Sequence, residues 1–588
     1  MATQKFSAGD MQGLTPAVDP TQSDKIFALE WSGRNFIFDS LGPKSSFGNR
    51  QLMPQPRTAP SYVQGVRLKL RSGDRCFHFF GDGIWEWNEF LGGYKLVYLT
   101  PDTTKVPGRW SYGYLAGYLF FCHPRVGILV YNIDTGLCVP HRQIGIGTPS
   151  NAMAIEVNNG RLCVMDPLFY SWSNPSDGLD FTPKLGGGGF QLISDRVAGT
   201  PILLTGYAGG CLLWTTEGVL RSEFTGDAAV FRFRSLGTEY RPSNSFCSCR
   251  VDNDTMIILD ERGLFQSKGD SITPFAPLFN EFLIKYIREW KLSVDQNLRL
   301  EWDRLKRMLY VSVSHTYANA IYDLAFVYYP PLDKWGQFNE PHYGILPVLI
   351  DDGERSGDYF GFVDSDGIVK YWSGAPNREA EATTITQSKS NLFMPAIQRD
   401  SQYAPTDEGR LMSSTLKISS FSMVGMTQRA GYYEAGILTP KTVALTGLDS
   451  KLTFGLFRPT GPGESDDASE ILNVLIRSEE SNIGESTQID WQAESGTDDW
   501  QSGSGNVDRG LGLLGYVNHK LRVIGTLDGK TEWQSDVPML ELESPAGRYY
   551  SCSVVGVWHM IEITAADVGE SFHIRTGEIT ATSAGRIL

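Results

Sequence analysis

Few side chains in this sequence have the type and spacing that catalysis or metal binding requires. No two of the eight histidines lie within four residues of each other, so the helical spacing of a zinc site does not occur. Cys247 and Cys249 are too close together for a zinc knuckle, and the sequence has no second pair of closely spaced cysteines that could complete a zinc site. The sequence also has no G-x-S-x-G nucleophile motif. It therefore predicts no catalytic residue, no cofactor and no metal ion.

Two short segments resemble ligand-binding loops. Gly525–Thr531 (GTLDGKT) is one residue short of a phosphate-binding loop, and a strand-like segment follows it where such a loop needs a helix. Val363–Gly367 (VDSDG) has two aspartates before a glycine, but it lacks the third ligand and the distal glutamate of a calcium loop. Both segments are predicted to be turns between strands.

The composition indicates a soluble β-rich protein of more than one domain. The chain has 588 residues, 62 glycines and 70 aromatic residues, which suits turn-rich sheets better than helix bundles. The first residues show no secretory signal, and apolar runs such as Tyr114–Cys122 are far shorter than the roughly twenty residues of a membrane span. The scattered cysteines are expected to be buried free thiols.

One pattern recurs along the first two thirds of the chain. A β-rich run reaches a turn of Gly, Asp or Asn, and a second β-rich run with an aromatic residue follows it. The segment Tyr170–Pro183 (YSWSNPSDGLDFTP) is the most elaborate of these corners, and it is interpreted as a joint between strands. The other six are Phe77–Trp87, Leu129–Val139, Leu212–Leu220, Met256–Phe265, Phe326–Phe338 and Tyr359–Trp372.

Repeats about forty residues apart are typical of radially stacked four-stranded blades. The sequence therefore predicts an all-β protein with a β-propeller of six or seven blades over residues 61–375. A set of β-sandwiches would use the same hairpins and remains the rival. One segment departs from the pattern, because the apolar residues of Thr273–Leu292 are spaced by three and four, as in an amphipathic helix. This inserted helix either packs against the propeller or docks a partner.

The rest of the chain divides by composition. Residues 1–60 are interpreted as an N-terminal arm with first strands, and residues 376–410 as a linker or extended arm. Residues 411–588 are expected to form one or more β-sandwich-like domains, or partly a last blade. The strands predicted there are Leu416–Met423, Thr442–Phe457, Glu470–Arg477, His519–Thr526, Tyr549–Ile563 and Phe572–Thr576.

The corner Tyr170–Pro183 and the segments after it resemble the tail nozzle, or hub, proteins of short-tailed bacteriophages. The order is a strand at 212–218 (LLWTTEG), the segments 231–237 and 258–270, the lone helix, and 304–314 leading to 327–338 (VYYPPLDKWGQF). The resemblance covers roughly residues 60–375. It implies a non-enzymatic propeller subunit of the virion tail, assembled in the host cytoplasm.

In that family six copies form a ring below the portal and the head-to-tail adaptor. The ring extends the DNA-ejection channel and carries tail fibres or tailspikes, so the implied partners are other copies of the chain, the adaptor, the fibre or spike, and double-stranded DNA that passes without specific binding.

Charge fits a conduit of this kind. The net charge of −15 disfavours tight binding to phosphates, and residues 464–508 alone carry a net −11. This acidic segment is hypothesised to face the channel, although it would equally suit a solvated, loop-rich surface. The channel-facing candidates are Glu464, Asp466, Asp467, Glu470, Glu479, Glu480, Asp498 and Asp499.

Two other functions agree with the same residues. A carbohydrate-binding or carbohydrate-active propeller would also use abundant Trp and Tyr beside carboxylates, and it predicts a central funnel with converging acids. A scaffold propeller is a weaker third candidate, because the repeats lack a regular blade signature.

Overall fold

The protein is described from a computed structural model. From residue 64 to 372 the structure describes all but 71–72, 81–82, 89–92, 101–107, 228, 238–239, 253, 270, 317–320, 352–355 and 366. Before and after this range it describes residues 34–40 and 42–45 and the strands given below. The chain forms two compact units. One contains residues 55–325 and 341–369, and the other contains residues 1–54, 326–340 and 370–588.

The first of these, the propeller unit, contains five complete four-stranded antiparallel sheets, called blades 1 to 5 in chain order. Each blade is built from four consecutive strands, because tight turns allow each strand to pair with the next. Blade 1 is Gln64–Leu70, Gly73–Phe80, Gly83–Asn88 and Gly93–Leu99. Blade 2 is Ser111–Leu115, Tyr118–His123, Gly127–Asn132 and Cys138–Pro140. Blade 3 is Ala154–Asn158, Arg161–Met165, Phe169–Trp172 and Gly189–Leu192. Blade 4 is Pro201–Tyr207, Gly210–Thr215, Val219–Phe224 and Phe231–Gly237. Blade 5 is Ser248–Arg250, Thr255–Asp260, Gly263–Lys268 and Ser271–Pro274.

Strands of two further sheets lie in the same unit. Blade 6 contributes the hairpin Leu298–Asp303 with Met308–Val313. Blade 7 contributes the hairpin His342–Asp351 with Ser356–Asp364. The propeller unit therefore contains strands of seven sheets, at the upper end of the six or seven predicted.

Consecutive blades bury their faces against each other. Blades 1 and 2 share a core in which Phe77 and Phe121 meet edge to face, with ring centroids 5.4 Å apart. Blades 3 and 4 share another, where the ring of Tyr170 lies 5.4 Å from that of Phe231. Equivalent apolar cores lie between blades 2 and 3 and between blades 4 and 5. Because blades 2 to 4 each bury both faces on their neighbours, the fold is a β-propeller and the predicted all-β class is confirmed.

The repeated phrases of the sequence are the hairpins of these sheets. Phe77–Trp87 and Leu212–Leu220, for example, each span the second and third strands of a blade. At the predicted turn Val363–Gly367, the Gly367 amide donates to the Asp364 carbonyl at 3.0 Å. Gly525–Thr531 begins in the strand His519–Thr526, which pairs with Trp533–Asp536, as expected for a hairpin. Its tip lies outside the described residues.

The predicted amphipathic helix spans Pro277–Glu289, with the proline in its first turn. Its apolar stripe is buried through Phe279, Phe282, Leu283 and Tyr286. The shorter helical segments of the described chain are His141–Ile144, Val294–Asn297, Ser245–Cys247 and Pro330–Leu332.

The second unit is also built from strands. Its four-stranded sheet has the order Ala2–Ser7, Ile574–Arg586, Asp467–Ser478, Tyr550–Gly556, and residues Ile471, Val474, Val554 and Ile579 are buried there. A larger sheet contains Met11–Leu14, Ile26–Ala28, Ser450–Phe457, Trp558–Ala565, His519–Thr526, Trp533–Asp536 and Leu540–Leu542. The remaining strands are Phe36–Phe38, Pro43–Ser45, Asn49–Pro54, Leu324–Tyr329, Lys334–Phe338, Ile368–Trp372, Ile385–Ser390 and Ala435–Pro440.

Most strands predicted in the C-terminal region correspond to observed ones. His519–Thr526 has the predicted bounds, and the predicted strand Tyr549–Ile563 is two strands, Tyr550–Gly556 and Trp558–Ala565. Within the stretch interpreted as a linker, Ile385–Ser390 pairs with Ala435–Pro440. The predicted strand Leu416–Met423 lies outside the described residues.

Candidate functional site

The propeller unit encloses a cavity of about 650 Å³. Residues from the first strand of every blade line it, from Gln64 in blade 1 to Pro347 in blade 7. A cavity bordered by the first strands of seven blades is the axial channel of a propeller. Its size is that of a small-molecule site.

Neighbouring first strands run in the same direction around this cavity. Where the first strands of blades 1 and 2 begin, the side-chain NH2 of Gln64 donates to the main-chain carbonyl of Trp110 at 3.0 Å. The side-chain oxygen of Gln64 accepts from the main-chain N–H of Trp110 at 2.7 Å. The Ile155 amide likewise donates to the Ser111 hydroxyl at 2.9 Å. At the other end, the Asn158 side chain donates to the Tyr207 carbonyl at 2.8 Å. The cavity therefore has an amino end and a carboxyl end, named after the strand ends that border them.

A charge network that is fully buried at Arg299 and half-buried at Arg109 joins blades 2 and 6. The Arg109 guanidinium donates to Glu301 and to the carbonyls of Leu300 and Ser245, with its shortest hydrogen bond, 2.6 Å, to Leu300. Arg299, which is fully buried, also donates to Glu301, at 2.8 Å, and its guanidinium lies 4.7 Å from the Phe246 ring. One carboxylate thus compensates two arginines. Burial acts to lower the pKa of Arg109, but the negative charge of Glu301 outweighs burial, and the pKa is raised.

A second ion pair crosses the cavity wall between blades 3 and 5. Arg250 donates to Glu156 at 2.6 Å. Burial raises the pKa of the Glu156 carboxyl, while Arg250 and a hydrogen bond to Gly206 act in the opposite direction. Glu156 and Glu301 are the carboxylates among the residues that line the cavity, and both are bound by arginine. A glycosidase needs two carboxyl groups placed to protonate and attack a sugar, and the two carboxylates of this cavity are instead each held in an ion pair.

Six of the seven cysteines whose side chains the structure describes are buried, and Cys138 is half-buried. Burial raises the pKa of Cys76 and of Cys247 to about 12, which removes the thiolate that nucleophilic or metal-binding cysteines need. Every cysteine whose side chain the structure describes is free, as expected from the sequence. No group of His, Cys, Asp and Glu in the described part of the chain could hold a metal ion.

The corner Tyr170–Pro183 joins the third and fourth strands of blade 3, which confirms its interpretation as a joint. Asn174 holds it from inside, because its side chain donates to Asp180 at 2.6 Å and accepts from the Gly188 amide at 2.7 Å. The residue that organises the loop was not among those singled out from the sequence. This is Arg161, buried in the second strand, which donates at 2.7–2.8 Å to the carbonyls of Ser173, Gly186 and Gly187.

Replacing Arg161 by methionine is expected to destabilise the corner. The substitution leaves three carbonyl groups without their charged donor, a loss of about 3 kcal/mol in the free energy of unfolding. Urea denaturation and hydrogen exchange of residues 173–188 measure the effect. The exposed Arg142, replaced in the same way, is the matched control and should change stability by less than about 0.5 kcal/mol. Unchanged exchange in the corner would contradict the assigned role.

The inserted helix is packed against blade 5. Its Asn280 side chain accepts from the Leu264 amide at 2.8 Å, and a Cβ at Gly263 would lie 1.9 Å from the Asn280 oxygen. At the far end of the helix, Tyr286 hydrogen bonds to His315 Nε2 at 2.7 Å. His315 Nδ1 hydrogen bonds to the Asp323 carboxylate. Burial acts to raise the pKa of Asp323, but the interaction with His315 outweighs burial, and the pKa is lowered. These contacts account for the helix as a packing element.

The outer part of blade 3 exposes large apolar side chains. Phe190 and Leu192 lie on the outermost strand and are 59% and 40% exposed, and Leu185 in the loop before it is 90% exposed. Leu168, which precedes the third strand, is also exposed. We call Leu168, Leu185, Phe190 and Leu192 the blade 3 apolar surface. Isolated exposed leucines are ordinary, but several around one edge strand mark a surface able to bind another protein.

The acidic candidates are only partly described. Asp467 and Glu470 lie in the strand Asp467–Ser478, where Asp467 is in register with Arg586. The others lie outside the described residues, and they are Glu464, Asp466, Glu479, Glu480, Asp498 and Asp499. Their orientation toward a channel stays a prediction. Among the described helices, none is long and apolar enough to span a membrane.

Comparison with known proteins adds only distant structural likenesses. No family model and no curated protein matches the sequence. The extracellular domain of a putative hybrid two-component system from B. thetaiotaomicron is 12% identical, with 61% of this chain and 42% of that chain covered and a TM-score of 0.35. The structure of U3-55K is 8% identical over 55% of this chain and 98% of that chain, with a TM-score of 0.33. A structure described as YCF48 bound to D1 peptide is 12% identical, covering 55% and 94% of the two chains, also with a TM-score of 0.33.

Proposed function

We propose that this protein is a structural, non-enzymatic subunit of a homohexameric tail nozzle in a short-tailed bacteriophage. In this role six copies extend the DNA-ejection channel below the portal and adaptor, and they anchor tail fibres or spikes. The protein belongs to the virion tail and assembles in the host cytoplasm. The order of segments over residues 60–375 suggests this family, and the propeller found there agrees with it.

The observation that supports assembly most directly is the blade 3 apolar surface. A closed ring needs a heterologous interface, in which one surface of each copy meets a different surface of the next. Phe190 and Leu192 share one face of their sheet with Phe169, and the rings of Phe169 and Phe190 meet at 5.5 Å. Large apolar side chains presented by a regular strand are suited to such a contact, because their burial against a neighbouring copy removes them from water.

Native mass spectrometry and negative-stain imaging of the full chain, alone and mixed with its portal and adaptor proteins, test the proposal. The expected result is a ring of six copies, formed by the chain alone or on contact with the adaptor. A chain that stays monomeric in both conditions, or that forms rings of another order, would contradict it.

Replacing Leu192 by glutamate is expected to prevent ring formation while the monomer stays folded. The substitution places a charge in the proposed interface, where burying it without a partner costs several kcal/mol. Leu332 is equally exposed, at 40%, and lies in a turn of a different hairpin, so Leu332→Glu is the matched control. Native mass measures the ring, and circular dichroism verifies the fold. Equal ring formation by both variants would remove blade 3 from the interface.

A carbohydrate-binding or carbohydrate-active propeller is the alternative. The observation that favours it is the axial cavity, which Tyr112, Trp302 and Tyr359 line and where sugars could stack. Calorimetry with oligosaccharide libraries, and product analysis after long incubation, test this function. Turnover of a sugar polymer by the purified chain would establish it over the nozzle.

A further inference from the structure

The carboxyl end of the axial cavity is basic. Lys69 is the penultimate residue of its first strand, Arg250 is the last residue of another, and Arg304 directly follows a third. All three line the cavity, together with Arg67. Glu156 is the carboxylate that lines the cavity near this end. This positive excess stands out in a chain whose net charge is −15.

Two of these four cations are engaged in the wall of the cavity. Arg250 is bound by Glu156, and Arg67 forms an ion pair with Asp74 on the next strand. Lys69 and Arg304 differ, because both side chains are exposed and neither forms an ion pair with a described residue. They stand on blades 1 and 6. Two cations on separate blades of one cavity rim can bind the same anion from two sides.

The cavity below this rim is suited to an organic ligand. Tyr112 and Trp302 are half-buried and present aromatic surface, while the remaining lining includes the uncharged side chains of Thr205 and Leu305. A volume of about 650 Å³ accommodates a small molecule and excludes a folded polypeptide.

We infer that the axial cavity binds a small organic polyanion, whose phosphate or carboxylate groups are held by Lys69 and Arg304 at the carboxyl end. The apolar part of the ligand lies against Tyr112 and Trp302. Because the two cations are exposed, ions screen this attraction, and affinity falls as salt is raised. The inference is independent of the nozzle proposal.

Isothermal calorimetry on the full chain at low salt tests the inference with three probes: tripolyphosphate, citrate and maltotriose. Tripolyphosphate or citrate is expected to bind, and neutral maltotriose is expected not to bind. Stronger binding of tripolyphosphate identifies a phosphate ligand, and stronger binding of citrate identifies a carboxylate ligand. No binding of either anion at millimolar concentration overturns the inference, as does stronger binding of maltotriose than of both anions.

The double variant Lys69→Ala/Arg304→Ala is expected to weaken anion binding by at least about tenfold, since two charge-assisted contacts are lost. The matched control is Arg232→Ala/Arg234→Ala, which removes the same charge from two exposed positions on the outer strand of blade 4. This control should bind within about twofold of the unmodified chain. An equal loss of anion affinity in both variants would show that only the net charge of the protein matters, and it would overturn the proposed binding site. Native mass of the same samples reports ring formation separately, so failure of one proposal is distinguishable from failure of the other.

Discussion

Glu301→Gln is expected to destabilise the propeller by about 3–5 kcal/mol, because it leaves the fully buried Arg299 and the half-buried Arg109 without their shared counter-charge. Arg109 and Arg299 both donate to this carboxylate, and the Arg299 side chain has no exposed surface. Glutamine keeps the size of the side chain and one acceptor oxygen. The loss of stability therefore measures the contribution of the negative charge, because the packing is almost unchanged.

Urea denaturation of the full chain, followed by tryptophan fluorescence, measures the change in the free energy of unfolding. Glu281, an exposed residue of the inserted helix, provides the matched control, and Glu281→Gln should shift stability by less than about 0.5 kcal/mol. A Glu301→Gln protein as stable as the control would show that the network contributes little to the fold. A triple replacement of the network by apolar residues could restore stability, as it does where a whole buried network is exchanged.

The stability of the propeller is expected to fall as the pH drops from about 6.5 to about 4. Burial lowers the pKa of His78 and of His123 from the ordinary 6.5 to about 4. Between these values the unfolded chain binds protons that the folded chain does not, so acid favours unfolding. The stabilisation is complete above pH 6.5 and is lost as the pH falls toward the folded pKa. At pH 5 each histidine should contribute a loss on the order of 2 kcal/mol.

Burial lowers the pKa of His78, and the partners of its ring determine which tautomer the neutral form adopts. Its Nε2 lies 3.0 Å from the Pro347 carbonyl, which can only accept, so Nε2 carries the hydrogen. Its Nδ1 lies 2.6 Å from the Tyr94 hydroxyl and accepts from it. This tautomer is assigned from its partners. A second proton on Nδ1 would occupy the lone pair that accepts from Tyr94, and the Tyr94 hydroxyl would have to turn to accept instead.

Denaturant unfolding at pH 7 and at pH 5 measures the loss, and the variant His78→Gln identifies the part that comes from one residue. Whatever the variant costs at pH 7, the difference between the two pH values should shrink by about 2 kcal/mol relative to the unmodified chain. The variant His315→Gln is the matched control, because it removes a histidine that is partly exposed. A stability that does not change between pH 7 and pH 5 would contradict the prediction.

The hairpins and the helix could be read from the sequence because their causes are local. Turn residues at Val363–Gly367 and alternating apolar residues on either side are enough to specify two paired strands. The helix follows from apolar spacing over Thr273–Leu292, with Pro277 near its start as the sequence required. Buried cysteines also follow from their position inside apolar strands. These features depend on neighbours in the chain, which a sequence displays directly.

The sequence repeat was not sufficient to predict the number of blades. A degenerate period left six and seven open, because local hairpins do not say how many sheets close a ring. The blade 3 corner shows a similar limit, since its turn residues were visible but Arg161, which binds three of its carbonyls, was not singled out. A buried arginine inside an apolar strand was the available signal, in the segment Arg161–Met165.

The amino-acid sequence alone was enough to predict an all-β chain of recurring hairpins, one helix and an acidic C-terminal region. Which charged residues form ion pairs follows from the three-dimensional fold. Arg109 reaches Glu301 across 192 positions of sequence, and Arg250 reaches Glu156 across 94. The physical reason is that first strands distant in the chain become neighbours around the propeller axis, and contacts of this kind leave no periodic signal in any one segment.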